Sequence, residues 1–363
     1  KVKTAFEENF KMRNEVGASC CVYYRDEKVV DLWGGFRDKK RKQYWEEDTL
    51  SIVFSTTKGM SSLALALLHS RGLLNYDEKV ATYWPEFAFN GKEQITMRQL
   101  LAHQAGLYTN AKSLNYEVLT SEDTLSDCLA KQKPYWNPGE KKGYHAWTIA
   151  MYQNEICKRV DPLRKPLHRF FKDEIADALE ADFHIGLPEH IPQHRVAELI
   201  PFMPTEAFNG ERNTDFGSIV KGILNPFSPF YKTLLNPPHA LNLNNFNKRK
   251  YVSIPNGSAH GFGNARSVAQ IYNEFATGPP PSAHRAGRRA GATEAPSAHE
   301  KSHRMRWLFS WRGRKRFRPP GAARSSPWWP SARPAGGRPV AGTARHAAPA
   351  LSARPPCRCW SRS

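Results

Sequence analysis

The sequence predicts a mixed α/β protein of the α+β kind, in which a small sheet precedes a largely helical lobe. Two strand-like runs, residues 16–24 and 28–33, flank the polar segment Arg25-Asp26-Glu27, and this arrangement predicts a β-hairpin. Over residues 61–276 the pattern is mostly helical, with long polar loops between the helices. Residues 1–277 carry an ordinary charge balance and are numerous enough to bury one substantial core. We therefore expect one α/β domain with an inserted or flanking helical lobe.

The first chemical pattern follows the hairpin. An apolar run leads into Ser55-Thr56-Thr57-Lys58 and then into a helix-like stretch at residues 59–68. Residues three apart share a helix face, so the Lys58 amine can reach the Ser55 hydroxyl at the positive end of the helix dipole. A serine nucleophile with a lysine partner needs this arrangement. The same spacing also suits a serine N-cap followed by a solvated lysine, and it recurs at Ser218-Ile219-Val220-Lys221, so both interpretations stay open here.

The second chemical pattern is a Pro138-Gly139 turn that leads to Tyr144-His145, just ahead of a helical stretch at residues 147–156. A phenol held near a cationic lysine ionises more easily and can take a proton from a serine. The alternative is a loop tyrosine whose ring packs on the surface. Without Ser55 nearby, the sequence favours that alternative.

The remaining elements are less informative. Further helices are predicted at residues 164–179 and 267–276, and residues 226–243, rich in Pro, Asn and aromatic side chains, are predicted to form an irregular loop over the site. Cys20 and Cys21 are adjacent on a strand and should face opposite sides of it. No cysteine spacing indicates a disulfide framework or a metal site.

The composition of the chain changes at Gly278. Residues 278–363 hold 13 of the 27 prolines, and their 18 basic and 2 acidic side chains supply most of the net charge of +19. Dense arginine attracts phosphates, so one interpretation of this tail is an arm for nucleic acid or anionic membranes. We favour a translated intron or a shifted reading frame. Residues 278–363 contain no Ile, Asn, Asp, Tyr or Gln, and these are largely the residue types that GC-rich codons do not encode. Either way, the composition predicts a disordered tail at residues 278–363.

Seven sequence blocks occur in a fixed order along the chain. They are Asp31-Leu32-Trp33-Gly34-Gly35, Phe54-Ser55-Thr56-Thr57-Lys58, Gly72-Leu73-Leu74 with Tyr83-Trp84-Pro85-Glu86-Phe87, Ile95-Thr96-Met97-Arg98-Gln99-Leu100-Leu101-Ala102-His103-Gln104-Ala105-Gly106-Leu107, Pro138-Gly139 with Tyr144-His145, Asp182-Phe183-His184-Ile185-Gly186-Leu187-Pro188-Glu189, and Asn264-Ala265-Arg266-Ser267-Val268-Ala269. With these blocks, residues 1–277 resemble the serine β-lactamase-related family, which includes class C β-lactamases, penicillin-binding DD-peptidases and esterases. The chain is most similar to the esterase-like branch, in which the tyrosine is followed by histidine. The resemblance implies a β-lactamase/transpeptidase-like antiparallel sheet flanked by helices, with a helical lobe.

The resemblance also implies roles for particular residues. Ser55 would be the acylated nucleophile, Lys58 would activate it and relay protons, and Tyr144 would be the general base. His145 would bind substrate or support the site. Where the penicillin-recognising branches prefer Asn, two residues after the tyrosine, this chain has Ala146, which argues against antibiotic hydrolysis as the main task. We interpret His103 as structural, a buried histidine at a helix end that is satisfied by the backbone.

A third family motif, Lys-Thr-Gly or His-x-Gly on a late strand, lines the active site and helps build the oxyanion hole. This chain has no Lys-Thr-Gly, and its only His-x-Gly, His184-Ile185-Gly186, lies in a mid-chain block that we predict to be a loop. The C-terminal strands are therefore expected to be missing. The truncated domain would comprise the hairpin and the start of the catalytic helix (1–60), the helical lobe (61–250) and a last helix (251–277).

These observations predict a serine hydrolase that forms an acyl-enzyme on a small ester, amide or peptide and is impaired in this isoform. The alternative is a catalytically inactive scaffold protein of the same fold. We expect no cofactor and no metal, because the chain has no phosphate loop, dinucleotide fingerprint or HExxH helix. We also expect no transmembrane segment and no nucleic-acid partner for the folded body. The sequence makes no prediction of oligomeric state, nor of compartment for a chain that begins at Lys1.

Overall fold

The computed structural model describes residues 1–201, 222, 225–277 and 359–360. Its first sheet is built on the hairpin that the sequence predicts. Strands β1 (Gly17–Tyr24) and β2 (Glu27–Gly35) pair in antiparallel fashion from Gly17 opposite Gly35 to Tyr24 opposite Glu27. Arg25 and Asp26 between them both have positive φ, 49° and 73°, as in the two-residue turns that match the twist of a hairpin.

A helix covers one face of this hairpin. Helix α1 (Val2–Met12) packs Phe6 and Phe10 against Leu32, and these three side chains form a small core of their own. The rings of Phe6 and Phe10 meet edge to face with centroids 5.2 Å apart, a favourable aromatic geometry. An isolated hairpin is marginal in water, so this packing helps to stabilise the sheet.

A second, short sheet contacts the 3₁₀ turn Phe54–Thr56. Its strands β3 (Ser51–Ile52), β4 (Phe183–Ile185) and β5 (Gly261–Gly263) are antiparallel, with β5 in the centre. The prediction of a loop at His184-Ile185-Gly186 was therefore wrong, because His184 and Ile185 belong to β4. Three consecutive buried residues carry no polar alternation, so the sequence pattern could not reveal this strand.

The helical lobe begins after β3, and the short strands β4 and β5 interrupt it along the chain. Its elements are α2 (Thr57–Ser70), α3 (Val80–Tyr83), α4 (Met97–Leu101), α5 (Tyr116–Thr120), α6 (Glu122–Lys131), α7 (Thr148–Val160), α8 (Leu167–Phe171), α9 (Pro229–Leu234), α10 (Arg249–Val252) and α11 (Ala265–Thr277), with short 3₁₀ turns at Phe54–Thr56, Pro85–Ala88, Gln193–Arg195, Pro238–Leu241 and Leu243–Asn247 and a π turn at Lys172–Ala176. Helix α2 packs against α7 and α8 around fully buried side chains such as Leu65, Tyr152 and Phe170.

The predicted helices lie where the structure has helices, but some of their first and last residues differ. The helix predicted at residues 164–179 begins only at Leu167, after Pro166 at its N-cap, and passes into the π turn. The helix predicted at residues 267–276 is α11, which is longer by a few residues. Residues 226–243, predicted as an irregular loop, contain α9 and a 3₁₀ turn, because Pro229 and Pro238 each start a short helical segment.

Helix α11 links the lobe to the hairpin. It packs against β1, and its Arg266 guanidinium lies 2.6 Å from the Asp31 carboxylate of β2. Arg266 holds the pKa of Asp31 below its usual value despite partial burial, which on its own would raise that pKa. This half-buried ion pair connects the hairpin to α11.

Most of the tail, and the serine at position 218, lie outside the described residues. Within the tail, Cys359–Trp360 form a two-residue strand, β6, which pairs with Trp33 and Gly34 of β2. The sequence predicts no strand there, since two residues are too few to show a period. Helices that are long and apolar enough to cross a membrane are absent from the described part of the chain.

Candidate active site

Ser55 lies where the second sheet passes into the helical lobe. After β3 the chain turns sharply at Phe54, which has a positive φ of 42°, and the 3₁₀ turn continues directly into α2. The Thr57 hydroxyl donates to the Phe54 carbonyl and accepts from the Gly261 N–H of β5 at 2.9 Å. A residue with a strained backbone that neighbouring hydrogen bonds hold in place is typical of turns at functional sites. Ser55 is exposed at the end of this turn, at the amino end of the helix.

Ser55 is not used as a helix cap. The N-cap of α2 is Thr56, and no side chain caps either the 3₁₀ turn or the helix. The Ser55 hydroxyl instead meets Lys58 and Tyr144, so the N-cap interpretation does not describe this serine.

Lys58 is half-buried beneath the serine. Its Nζ lies 3.2 Å from Ser55 Oγ and donates to the carbonyl oxygens of Ala146 at 2.7 Å and Ser258 at 2.9 Å. Burial lowers the pKa of Lys58 from 10.5 to about 7, because no carboxylate compensates the lost hydration. A neutral amine is therefore accessible near neutral pH, within hydrogen-bond reach of the hydroxyl.

Tyr144 completes the group. Its hydroxyl donates to Ser55 Oγ at 2.8 Å, and its ring centroid is 4.8 Å from Lys58 Nζ. The side chain is 49 % exposed, so it borders open space on its other side. The alternative of a loop tyrosine packed on the surface does not describe this contact. Ser55, Lys58 and Tyr144 thus come together as the sequence predicts, although their roles stay a proposal.

His145 occupies a different position from the other three. Its side chain is fully buried and does not line the cavity at Ser55. Burial, with the nearby His103 and Lys58, holds the pKa of His145 well below its usual value. Of the two roles expected for His145, substrate binding or support, its position fits support.

His103 holds the loop that carries Tyr144. It follows α4, has a positive φ of 61°, and is half-buried rather than fully buried as expected. Its carbonyl accepts from the Gly143 N–H at 3.0 Å, and its ring Nδ1 accepts from the His145 N–H at 3.2 Å. Burial lowers the pKa of His103 to about 4, so this nitrogen stays free to accept at neutral pH. The prediction that backbone groups satisfy His103 agrees with this geometry.

Two further residues that no sequence pattern indicated help to form the site. The Thr233 hydroxyl accepts from the Ala146 N–H at 3.2 Å and lies 2.9 Å from the Tyr144 carbonyl. The Ser258 carbonyl is the third partner of Lys58, 200 positions along the chain. Neither lies in a recognisable motif, because the contact depends on where α9 and the segment before β5 pack.

An apolar cavity of about 370 Å³ opens at the serine. Beside Ser55 and Tyr144, it is lined by apolar residues: Phe54, Ala146, Trp147, Leu234, Leu235, Ala240, Leu241, Leu243, Phe246 and Ala259. Among the described residues, no cluster of three or more His, Cys, Asp or Glu side chains that could hold a metal ion is found. The site can therefore offer a hydroxyl, an amine and a phenol to a bound molecule with an apolar group.

Antiparallel sheets beside a helical lobe, with a Ser-x-x-Lys sequence at the start of the lobe's first helix, define a β-lactamase/transpeptidase-like fold. The chain belongs to the Beta-lactamase family, whose sequence profile matches residues 2–351. This match confirms the resemblance on which the sequence analysis rests.

Proteins with similar sequences or structures include members of the esterase-like branch. The esterase/β-lactamase LipL of Mycobacterium tuberculosis is 31% identical over 278 residues, which are 76% of this chain and 62% of LipL. The chain therefore spans less than two thirds of that relative. A family VIII carboxylesterase structure is 36% identical, with a TM-score of 0.65, over 76% of this chain and 69% of the other. A penicillin-binding protein homologue from Caulobacter crescentus is 32% identical, with a TM-score of 0.61, over the same shares.

Proposed function

We propose that this protein is a serine hydrolase that acts on a small ester or amide through an acyl-enzyme at Ser55. The observation that carries the proposal is the double contact of Ser55 Oγ, which lies 2.8 Å from the Tyr144 hydroxyl and 3.2 Å from Lys58 Nζ. A nucleophile within hydrogen-bond reach of two proton acceptors is the geometry that acyl transfer requires.

In the proposed reaction, the Tyr144 and Lys58 pair must first lose one proton. The remaining proton can sit on the lysine with a tyrosinate, or on the tyrosine with a neutral amine, and both forms can accept the Ser55 proton. Ser55 Oγ then attacks the carbonyl carbon, and the bond to the alcohol breaks after the same pair returns the proton to the leaving oxygen. In deacylation the same pair accepts a proton from water, and the water oxygen attacks the acyl carbon. The pair then returns the proton to Ser55 Oγ as the bond to the acyl group breaks, which releases the acid.

The proposed turnover is slow. A tetrahedral oxyanion is normally stabilised by two donors, and loss of one typically costs about 10²–10³ in rate. We assign one donor to the Ser55 N–H, at the positive end of the helix. The second would come from the late family strand with its Lys-Thr-Gly or His-x-Gly motif, and the only such sequence in this chain, His184-Ile185-Gly186, stands in β4. Acylation is therefore the step that an assay should follow first.

The substrate is proposed to be an ester rather than a β-lactam. Ala146 presents its carbonyl to Lys58 and has no side-chain amide to hold the amide of a β-lactam. We expect purified residues 1–363 to hydrolyse p-nitrophenyl acetate or butyrate faster than a chromogenic cephalosporin, measured as initial rates at equal concentration. Efficient cephalosporin hydrolysis with negligible ester hydrolysis would refute this, and acylation by neither would favour the inactive scaffold.

A separate prediction concerns His103, which we propose as a positioning residue for Tyr144. His103→Ala removes the ring acceptor for the His145 N–H and should lower the acylation rate about tenfold to 100-fold, because small misplacements of catalytic groups are costly. The effect should appear in the maximal rate constant of the acylation burst, while the ester concentration that gives half of this rate stays nearly unchanged.

The matched control is His103→Asn. Asparagine tolerates positive φ and can place its amide oxygen near the position of Nδ1, so it should recover most of the lost rate. Equal burst rates in His103→Ala and the wild type, or a change only in the ester concentration that gives half of the maximal burst rate, would show that His103 does not position Tyr144.

A further inference from the structure

The cavity at Ser55 has a wall of three aromatic rings that support one another. Phe246 packs edge to face on Phe54 with centroids 5.2 Å apart, and it stacks on Trp147 with centroids 6.0 Å apart and planes 5° from parallel. Phe246 is only 4 % exposed, so the wall is held by packing on both sides. This part of the cavity is therefore preformed rather than shaped by a ligand.

Few polar groups line the cavity. Trp147 Nε1 donates to the Leu234 carbonyl at 2.8 Å, and all three donor positions of the Lys58 ammonium face Ser55, Ala146 and Ser258. Among the described residues that line the cavity, only Ser55 and Tyr144 have a hydroxyl, and none carries a formal charge. A carboxylate placed here would lose its hydration without gaining an ion pair, which is strongly unfavourable.

We propose that this cavity binds the apolar group of an uncharged ester, an alkyl chain of several carbons or a single ring, and excludes substrates that carry a carboxylate there. This inference rests on the proposed acylation at Ser55 and adds the substrate class. A volume of about 370 Å³ is at the small end of the range for ligand pockets, which suits one chain or ring. The group belongs to either the acyl or the alcohol side of the ester.

Ala240 and Leu243 are the residues that limit this subsite. Ala240 is 8 % exposed and belongs to the 3₁₀ turn Pro238–Leu241, while Leu243 is 42 % exposed at the mouth. A larger side chain at Ala240 should fill the cavity, and a smaller one at Leu243 should widen it. We therefore assign both as specificity-determining residues.

The test measures acylation of the full chain by the burst of released phenol, which is nitrophenolate in the acyl arm and the alkylphenol in the alcohol arm. The acyl arm uses p-nitrophenyl acetate, butyrate, hexanoate and octanoate, and the alcohol arm uses acetates of phenols with 4-alkyl chains of rising length. In the arm whose group enters the cavity, the second-order rate constant should rise about fourfold per added methylene until the cavity is full. In that same arm, a carboxylate in place of the terminal methyl should slow acylation at least tenfold. The pairs are mono-p-nitrophenyl succinate against p-nitrophenyl butyrate in the acyl arm, and 4-(carboxymethyl)phenyl acetate against 4-ethylphenyl acetate in the alcohol arm.

Variants then connect the chain-length effect to the cavity. Ala240→Phe should flatten the rise, and Leu243→Ala should move the optimum to longer chains, which keeps the test valid if the first variant folds poorly. The matched control, Ala276→Phe, adds the same ring at an exposed position of α11 and should keep the wild-type profile.

The outcomes separate the two proposals. A Ser55-dependent burst with equal rates for all chain lengths in both arms would overturn the apolar subsite and leave the hydrolase. So would a carboxylate ester that reacts as fast as its uncharged partner in the arm that shows the chain-length effect. No burst with any ester, and no covalent labelling of Ser55, would overturn the proposed function itself and this inference with it.

Discussion

Ser55→Ala should abolish covalent labelling by a fluorophosphonate probe and should lower ester hydrolysis to the background rate, a loss of about 10⁴-fold or more. The hydroxyl is the atom on which the Tyr144 and Lys58 contacts converge, and an alanine leaves nothing to acylate. Labelling is measured by intact mass and by the labelled peptide. Because Ser55 is exposed and caps no helix, the variant should unfold at nearly the same temperature as the wild type.

The chain offers a matched control for this experiment. Ser218-Ile219-Val220-Lys221 repeats the Ser-x-x-Lys spacing, so Ser218→Ala tests whether the spacing alone creates a reactive serine. We expect Ser218→Ala to be labelled as fast as the wild type. Labelling that survives in Ser55→Ala, or that maps to Ser218, would overturn the assignment of the nucleophile.

The second large effect is expected at Lys58. Lys58→Met keeps the length and shape of the side chain but removes the amine, and acylation should fall by about 10³-fold, the order of a general-base contribution. The change leaves the Ala146 and Ser258 carbonyls without their partner, but it also removes an amine whose burial opposes folding, so the free energy of unfolding should change much less than the acylation rate. Thermal unfolding of the same preparation separates the two effects.

The pH dependence of acylation gives an independent test of the pKa of Lys58 and of its role in proton transfer. Burial lowers its pKa to about 7, and the reactive form of the site has lost one proton. The acylation rate of the wild type should therefore rise as pH increases through about 7 and level off above it. An unburied lysine would place this rise more than three pH units higher.

Lys58→Arg is the control that keeps the positive charge. A guanidinium does not lose its proton in this pH range, so the variant should lack the rise through pH 7 and stay nearly unreactive throughout. A wild-type level of acylation in Lys58→Arg, with the same pH profile, would show that proton transfer at Lys58 is not required.

The local part of the site could be predicted because it follows from helix geometry. Ser55 and Lys58 are three positions apart at the start of α2, and this spacing alone places the amine near the hydroxyl. The hairpin was equally local, since two strand-like runs and a short polar turn identify it. The family resemblance then made Tyr144 a candidate partner, and in the structure its hydroxyl reaches Ser55.

The strands β4 and β5 could not be predicted in the same way. Each has three residues, all buried, and pairing with a neighbour decides their conformation more than their own pattern does. The start of α8 was predicted three residues too early for a related reason. Residues 164–166 fit a helical pattern, but Pro166 lies at the N-cap and the helix begins after it.

The sequence by itself determined the order of the family blocks, the hairpin and the Ser55-x-x-Lys58 pair, because each depends on residues close together in the chain. Only the tertiary structure decided the pKa of Lys58, which follows from burial beneath segments 88 and 200 positions away. It also decided the apolar cavity, since Phe54, Trp147 and Phe246 come from three separate parts of the chain and meet only through packing. Burial and packing are properties of surroundings, and a local pattern carries no information about which distant residues will supply them.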